Sequence, residues 1–213
     1  MHALGVNLDA PPERVARSIE TLGFGFCFAP QFHPAMKLVA PIRRELGIRT
    51  IFNLIGPLAN PARLTFQLIG VSEARLMRPM ADALVALGLR HAMVVHGEDG
   101  LDEVTTTAKT RILEVAGGAI QLLTLTPEEF GLTRTTLDQV RGADAVHNAK
   151  LAEAVLEGTP SPLRDIVAIN AGCAIYVAER APSIHQGIVQ AHDALDSGRV
   201  KQLLARVVEY SYG

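Results

Sequence analysis

Short continuous apolar runs predict the strands of this chain. Residues 67–71 and 92–95 form two such runs, and the helical spacing between them indicates a right-handed crossover with parallel pairing. Two further runs, 111–115 and 120–125, are joined through a pair of glycines, which is typical of an antiparallel hairpin. The run 24–30 could be a strand or a buried loop.

Apolar residues spaced three or four apart predict the helices. The first helix covers residues 13–22, with Val15 and Ile19 on its apolar side. Between the first two strands, Ser72 is predicted to cap a helix that ends at Gly88. The remaining predicted helices cover 33–46, 144–156, 165–177, 183–195 and 200–208, and residues 126–129 carry a helix-start signal. The chain is therefore α/β and rich in helices towards its C-terminus.

Composition narrows the class of protein. With 213 residues, of which 48% are hydrophobic, the chain can bury one sizeable core, and no apolar run approaches the roughly 20 residues that span a bilayer. A net charge of -2 argues against nucleic acid as the principal partner. The first residues do not resemble a secretory signal. Cys27 and Cys173 lack metal-ligand spacing, and we expect two reduced core thiols in a cytoplasmic protein.

An acidic loop follows the most apolar strand. The run 92–95 leads directly into His96 and Gly97, and the loop ends in Asp102 and Glu103. Open α/β sheets place ligand sites where a strand ends in such a loop. Two adjacent carboxylates could hold Mg²⁺ against phosphate oxygens. The alternative is that both are solvated loop acids, or that one caps a helix.

A cationic segment could bind an anion. Arg43, together with Arg44 and Arg49, lies close in sequence to a break at Gly56 and Pro57. A guanidinium binds carboxylate or phosphate through two hydrogen bonds, and a glycine lets the backbone approach a ligand. The alternative is a set of surface arginines at a helix end.

A third segment combines small, apolar and imidazole side chains. Ala29, Pro30, His33 and Met36 could line a pocket for a flat aromatic ligand. The alternative is that the lone histidine forms a structural hydrogen bond.

Taken together, these segments resemble the anthranilate phosphoribosyltransferases. The shared stretches are GVNLD, FAPQFHPAMK, RRELGIRTIFNLIGPLANPA, VVHGEDGLDE, EEFGL, RDIVAINAG and ALDSG. The resemblance implies a mostly parallel sheet flanked by helices. It also implies transfer of a phosphoribosyl group from 5-phosphoribosyl 1-diphosphate to anthranilate, in tryptophan biosynthesis.

The same resemblance implies roles for particular residues. Asp102 and Glu103 match the Mg²⁺ ligands of the family, and Arg43 matches the arginine that contacts the anthranilate carboxylate. The positions beside the anthranilate ring or along its entry channel are Gly56, Pro57, Ala29, Pro30, His33 and Met36.

The resemblance also divides the chain. Residues 1–50 match remnant helices of a small helical domain and a hinge, and 51–213 match an α/β phosphoribosyltransferase-type domain that is incomplete at its N-terminal side. The family's Gly-rich phosphate loop, Lys-His-Gly-Asn-Arg segment and Ser-rich loop do not occur in this sequence. We therefore expect this polypeptide alone to be weakly active or inactive. The family forms homodimers through the small helical domain, most of which this chain lacks.

Other functions remain open at this stage. The chain could be a nucleic-acid-binding relative of the same fold, a scaffold that retains the motifs without the activity, or a pyrimidine-nucleoside phosphorylase. The balance of 20 Lys and Arg against 22 Asp and Glu disfavours nucleic-acid binding. The Arg43 segment and the acidic pair favour the anthranilate enzyme over the phosphorylase.

Overall fold

The computed structural model describes residues 1–32 and 56–213, in which strands and helices alternate before a helical C-terminal half. The strands of this part are β1 (Phe66–Gly70), β2 (His91–Gly97), β3 (Thr110–Ala116) and β4 (Ala119–Leu125). Its α-helices are α1 (Pro12–Leu22), α2 (Ala29–Phe32), α3 (Met77–Ala86), α4 (Leu137–Val140), α5 (Ala145–Leu156), α6 (Pro162–Val177), α7 (Ile184–Asp196) and α8 (Arg199–Tyr212). Short 3₁₀ turns cover His2–Leu4, Ala74–Leu76 and Pro127–Phe130.

The sheet of the described residues has the strand order β1-β2-β3-β4. β1 pairs with β2 in parallel, whereas β2 with β3 and β3 with β4 pair antiparallel. The predicted α/β class with flanking helices, the parallel crossover and the hairpin are confirmed. The described sheet is mixed rather than mostly parallel, because a loop without a crossover helix joins β2 to β3 and returns the chain in the opposite direction.

β2 is buried on both faces of the sheet. Ala92 and Val94 lie in an apolar cluster with residues of α3. Met93 and Val95 lie in a second cluster with Ile169 and other residues of α6. Because helices cover both faces, every position of the strand centre is apolar, and this explains the continuous run in the sequence.

Helix boundaries follow the local sequence signals, with three differences. Ser72 does not cap α3: a 3₁₀ turn preceded by Glu73 leads into the helix, whose N-cap position is Leu76. α6 begins three residues earlier than predicted, because the Ser161 side chain accepts a hydrogen bond from the Arg164 amide. α8 ends at Tyr212, four residues later than predicted. The four predicted C-terminal helices are otherwise confirmed, as is the helix start at 126–129, which forms a 3₁₀ turn with a capping box.

Two sequence predictions concern the N-terminal segment. Residues 24–28 form no strand, and α2 follows them; the predicted helix 33–46 lies outside the described residues. The segment is attached to the C-terminus, since the Asn7 amide donates to Ser211 Oγ at 3.0 Å. The domain boundary predicted between residues 50 and 51 stays a prediction.

The cysteines differ in burial. Cys173 is fully buried, and this burial raises the pKa of its thiol to about 12. Cys27 is half-buried, so the prediction of two core thiols is right for Cys173 and wrong for Cys27.

Within 1–32 and 56–213, no helix has the length and apolar character needed to cross a membrane.

The crossing of α6 and α7 is a close backbone contact. A side chain at Gly187 would overlap the carbonyl oxygen of Gly172, and one at Gly172 would lie 2.6 Å from the Ile188 backbone nitrogen. Glycine at both positions therefore allows the two helices to touch.

A buried polar group joins the sheet to α6. His91 Nε2 lies 2.7 Å from Glu114 Oε1, and the Tyr176 hydroxyl donates to the same oxygen at 3.0 Å. An ionised carboxylate only accepts hydrogen bonds, so Nε2 carries a proton. This arrangement satisfies polar groups that the packing of α6 removes from water.

We expect Tyr176→Phe to lower the free energy of unfolding by about 1 kcal/mol at pH 7, because the Glu114 carboxylate loses a partly buried hydrogen bond. Urea denaturation with an unchanged m-value would measure the loss. Tyr212→Phe is the control, since Tyr212 is 65% exposed. Equal losses in the two variants would contradict the role given to this hydrogen bond.

Candidate functional site

The acidic loop connects β2 to β3 at the carboxyl end of β2. The Gly97 amide donates to the Leu101 carbonyl at 2.9 Å, and the Glu98 amide donates to the Lys109 carbonyl at 2.9 Å. His96 Nδ1 lies 2.9 Å from the Val71 carbonyl oxygen, so the loop entrance is attached to the residue that follows β1. The carbonyl can only accept, and Nδ1 therefore carries a proton.

Asp99 organises the interior of the loop. Its carboxylate accepts hydrogen bonds from the Leu101 amide at 3.0 Å, from the Thr105 hydroxyl at 2.6 Å and from the Thr107 hydroxyl. Partial burial by itself would raise the pKa of Asp99, but these hydrogen bonds outweigh it and hold the pKa below its ordinary value. Asp99 therefore stays ionised and ties together three parts of the loop.

Asp102 and Glu103 have exposed side chains on a fixed backbone. Val104, the next residue, is fully buried in the cluster that contains Ile169. Neither carboxylate forms an ion pair with any residue in 1–32 or 56–213. Partial burial of the Glu103 carboxyl raises its pKa above the ordinary value, and the negative charge of Asp102 adds a smaller shift in the same direction. A cation at this position would relieve that repulsion.

The acidic pair fits a divalent cation that shares its coordination with a ligand. Within the described part of the chain, no cluster of three or more His, Cys, Asp or Glu side chains could enclose an ion. Two carboxylates offer hard oxygen ligands and leave the remaining positions to water or phosphate, as Mg²⁺ sites commonly do. The donor set therefore suits Mg²⁺ bound together with a phosphorylated ligand.

The other predicted site residues are only partly described. His33, Met36 and Arg43 lie outside the described residues. Ala29 and Pro30 are exposed and form the first residues of α2.

Gly56 and Pro57 are attached to β1. Gln67 Nε2 donates to the Pro57 carbonyl at 2.7 Å. Gly56 is exposed, and the position that its side chain would occupy has no atom within 4 Å. β1 thus contacts this segment at Gln67 and the acidic loop at Gly70, where a side chain would overlap the Asp102 carbonyl oxygen.

An apolar cavity of the described residues lies elsewhere. It has a volume of about 440 Å³ and an apolar lining from the N-terminal segment, α5, α6 and α8, including Met1, Leu151 and Leu204. Of the predicted site residues that the structure describes, none lines it. The acidic pair of Asp102 and Glu103 therefore lies outside this cavity.

Sequence reasoning missed the residues that support the acidic pair. Asp99 was visible as an Asp-Gly turn signal, but its threonine partners come from the fold of the loop. Asn170 hydrogen-bonds the Val104 backbone, and Gly70 contacts the Asp102 backbone. Asn170 lies 66 residues from Val104 in the sequence, so no local pattern could pair them.

We expect Asp99→Asn to lower the free energy of unfolding by about 1 kcal/mol at pH 7. Because the folded-state pKa of Asp99 is depressed, its stabilising effect is complete well above the ordinary value of 3.8 and is lost as the pH falls below that value. Urea denaturation from pH 7 to pH 3 should therefore show the two proteins converging at acid pH.

The control for this prediction is Asp138→Asn, because the Asp138 side chain is 86% exposed. We expect its free energy of unfolding to stay within about 0.5 kcal/mol of the original at each pH. A difference between original and Asp99→Asn that grew towards acid pH would contradict the hydrogen-bonded, ionised state of Asp99.

Sequence comparison identifies the relatives of the chain. Residues 1–201 match the glycosyl transferase family, a/b domain. The anthranilate phosphoribosyltransferases of Mesorhizobium japonicum and Nitrosomonas europaea are 51% and 48% identical over 211 residues, which cover 99% of this chain. The chain spans 62% of the length of each of these relatives.

Solved structures agree with the sequence comparison. The anthranilate phosphoribosyltransferase of Thermus thermophilus has a TM-score of 0.93 at 47% identity and covers 100% of this chain, which matches 63% of that protein. The Saccharomyces cerevisiae enzyme in complex with PRPP and Mg has a TM-score of 0.89 at 27% identity, over 99% of this chain and 61% of that protein. The chain therefore belongs to the glycosyl transferase family with this a/b domain, and its relatives there are anthranilate phosphoribosyltransferases, as its motifs predict.

Proposed function

We propose that this chain provides the metal-binding and anthranilate-binding part of an anthranilate phosphoribosyltransferase. The reaction transfers the phosphoribosyl group of 5-phosphoribosyl 1-diphosphate to the amino group of anthranilate and releases diphosphate. The observation that carries the proposal is the pair of exposed carboxylates on a fixed backbone at the carboxyl end of β2, which form no ion pair with residues 1–32 or 56–213. The similarity to relatives with this activity supports the same assignment.

Asp102 and Glu103 would hold Mg²⁺ in this function. When bound, the ion neutralises charge on the diphosphate as it leaves the ribose. The two side chains face solvent, so a diphosphate group can reach an ion bound to them. The Saccharomyces cerevisiae relative in complex with PRPP and Mg supports Mg²⁺ as the cation.

Arg43 would bind the anthranilate carboxylate, with Gly56 and Pro57 beside the ring and Ala29, Pro30, His33 and Met36 along the entry channel. This part of the proposal rests on the motif resemblance. A guanidinium fixes a carboxylate through two hydrogen bonds, and it would orient an amine that is already neutral at pH 7. The attachment of the Gly56–Pro57 segment to β1 supports a site that shares this strand with the acidic loop.

We expect the purified 213-residue chain to show weak or no turnover of anthranilate, since it spans 62% of the length of its relatives. The assay follows loss of anthranilate fluorescence with 5-phosphoribosyl 1-diphosphate and Mg²⁺. Joining the chain to the part of the Mesorhizobium japonicum relative outside the 211 aligned residues should produce turnover. Turnover by the chain alone at the level of that relative would contradict the expectation.

In the joined protein, we expect Asp102→Asn with Glu103→Gln to lower kcat/KM at least about 100-fold, because the leaving group loses its cation.

Arg43→Ala should mainly raise the KM for anthranilate and leave kcat close to the original. Unchanged kinetics in both variants would contradict the site. Phosphorolysis of a pyrimidine nucleoside, or salt-dependent retention of DNA, would favour the alternative functions instead.

A further inference from the structure

We infer that Asn170 is a positioning residue that holds the acidic pair in place. This inference rests on the proposed role of Asp102 and Glu103 as metal ligands. The Asn170 carboxamide accepts a hydrogen bond from the Val104 amide at 2.9 Å and donates to the Val104 carbonyl at 2.8 Å. The first bond fixes the peptide that joins Glu103 to Val104, and the second fixes the next peptide.

Asn170 is itself held in one orientation. Its Nδ2 also donates to the Ile166 carbonyl at 2.8 Å, one turn earlier in α6. Reversing the carboxamide would place its oxygen against two carbonyl oxygens and its amino group against the Val104 amide. The fully buried Val104 side chain packs in the same cluster as Ile169 and Cys173, so helix and loop form one packed unit.

Gly70 limits the acidic pair from the other side. A side chain at Gly70 would overlap the carbonyl oxygen of Asp102, so the end of β1 lies directly against the loop backbone. The backbone of Asp102 and Glu103 is therefore held on one side by β1, at the Asp102 carbonyl, and on the other by α6, at Val104. Two exposed carboxylates on a fixed backbone lose less conformational freedom when they bind a cation than two on a mobile loop would.

Paramagnetic broadening by Mn²⁺ tests this inference without an activity assay. Mn²⁺ with inorganic diphosphate is titrated into the ¹⁵N-labelled 213-residue chain, and the backbone amide signals of Glu103 and Val104 report the bound ion. We expect Asn170→Leu to weaken the apparent affinity for Mn²⁺ about 10-fold, the order of effect found when a supporting residue of a metal ligand is removed.

A second substitution separates positioning from charge. Asn170→Asp adds a negative charge near the pair but places an oxygen against the Val104 and Ile166 carbonyls. Positioning predicts weaker Mn²⁺ binding in Asn170→Asp, whereas simple electrostatic attraction predicts tighter binding. Gly70→Ala disturbs the loop from the opposite side and should also weaken Mn²⁺ binding, which keeps the test decisive if one Asn170 variant fails to fold.

Leu84→Val is the control for general destabilisation. Leu84 is fully buried in the cluster on the other face of the sheet, so this variant should melt earlier and keep its affinity for Mn²⁺. Affinity at the original level in folded Asn170→Leu would overturn the inference, whatever the result for Gly70→Ala.

A further variant separates failure of the inference from failure of the proposed function. Asp102→Asn with Glu103→Gln should abolish the local broadening. If the original chain shows no local broadening, or the same broadening as that variant, the metal site itself is wrong, and the role of Asn170 is overturned with it.

Discussion

The burial of β2 on both faces is the constraint on which the rest of the structure depends. A strand covered by α3 on one side and α6 on the other must be apolar at its centre, residues 92–95, and it must pair with β1 and β3 to satisfy its backbone. The strand can present polar chemistry only where it ends. The chain places its acidic loop at the carboxyl end of this buried strand.

The acidic loop combines a constrained backbone with exposed side chains. Asp99 and its threonine partners hold the loop from inside, while β1 and α6 hold it at the edges. The conformational entropy of the loop backbone is therefore lost during folding, and under the proposed function little of it would remain to be lost when a ligand binds. Two like charges can stay adjacent because solvent reaches both.

Local patterns predicted the elements well, and the supporting contacts poorly. The continuous apolar run of β2, the glycine-linked hairpin and the capped C-terminal helices each depend on neighbouring residues, so the sequence indicates them directly. The Ser72 cap was wrong because a 3₁₀ turn precedes α3, and short turns leave little trace in hydrophobic spacing. The acidic pair was visible as a motif. The contacts of Asn170 and Gly70 with it are long-range, and they depend on how α6 and β1 pack.

The glycine contact between α6 and α7 has a consequence for how the chain tolerates sequence change. Gly172 follows Asn170 by two residues on the same helix, and its backbone touches that of Gly187. Even one added methyl group at Gly172 or Gly187 would push α6 away from α7 and would move the Asn170 carboxamide with α6. Residues on α7 that never approach the loop therefore restrict which substitutions preserve its geometry, and the structural constraint on the loop extends one helix beyond its direct contacts.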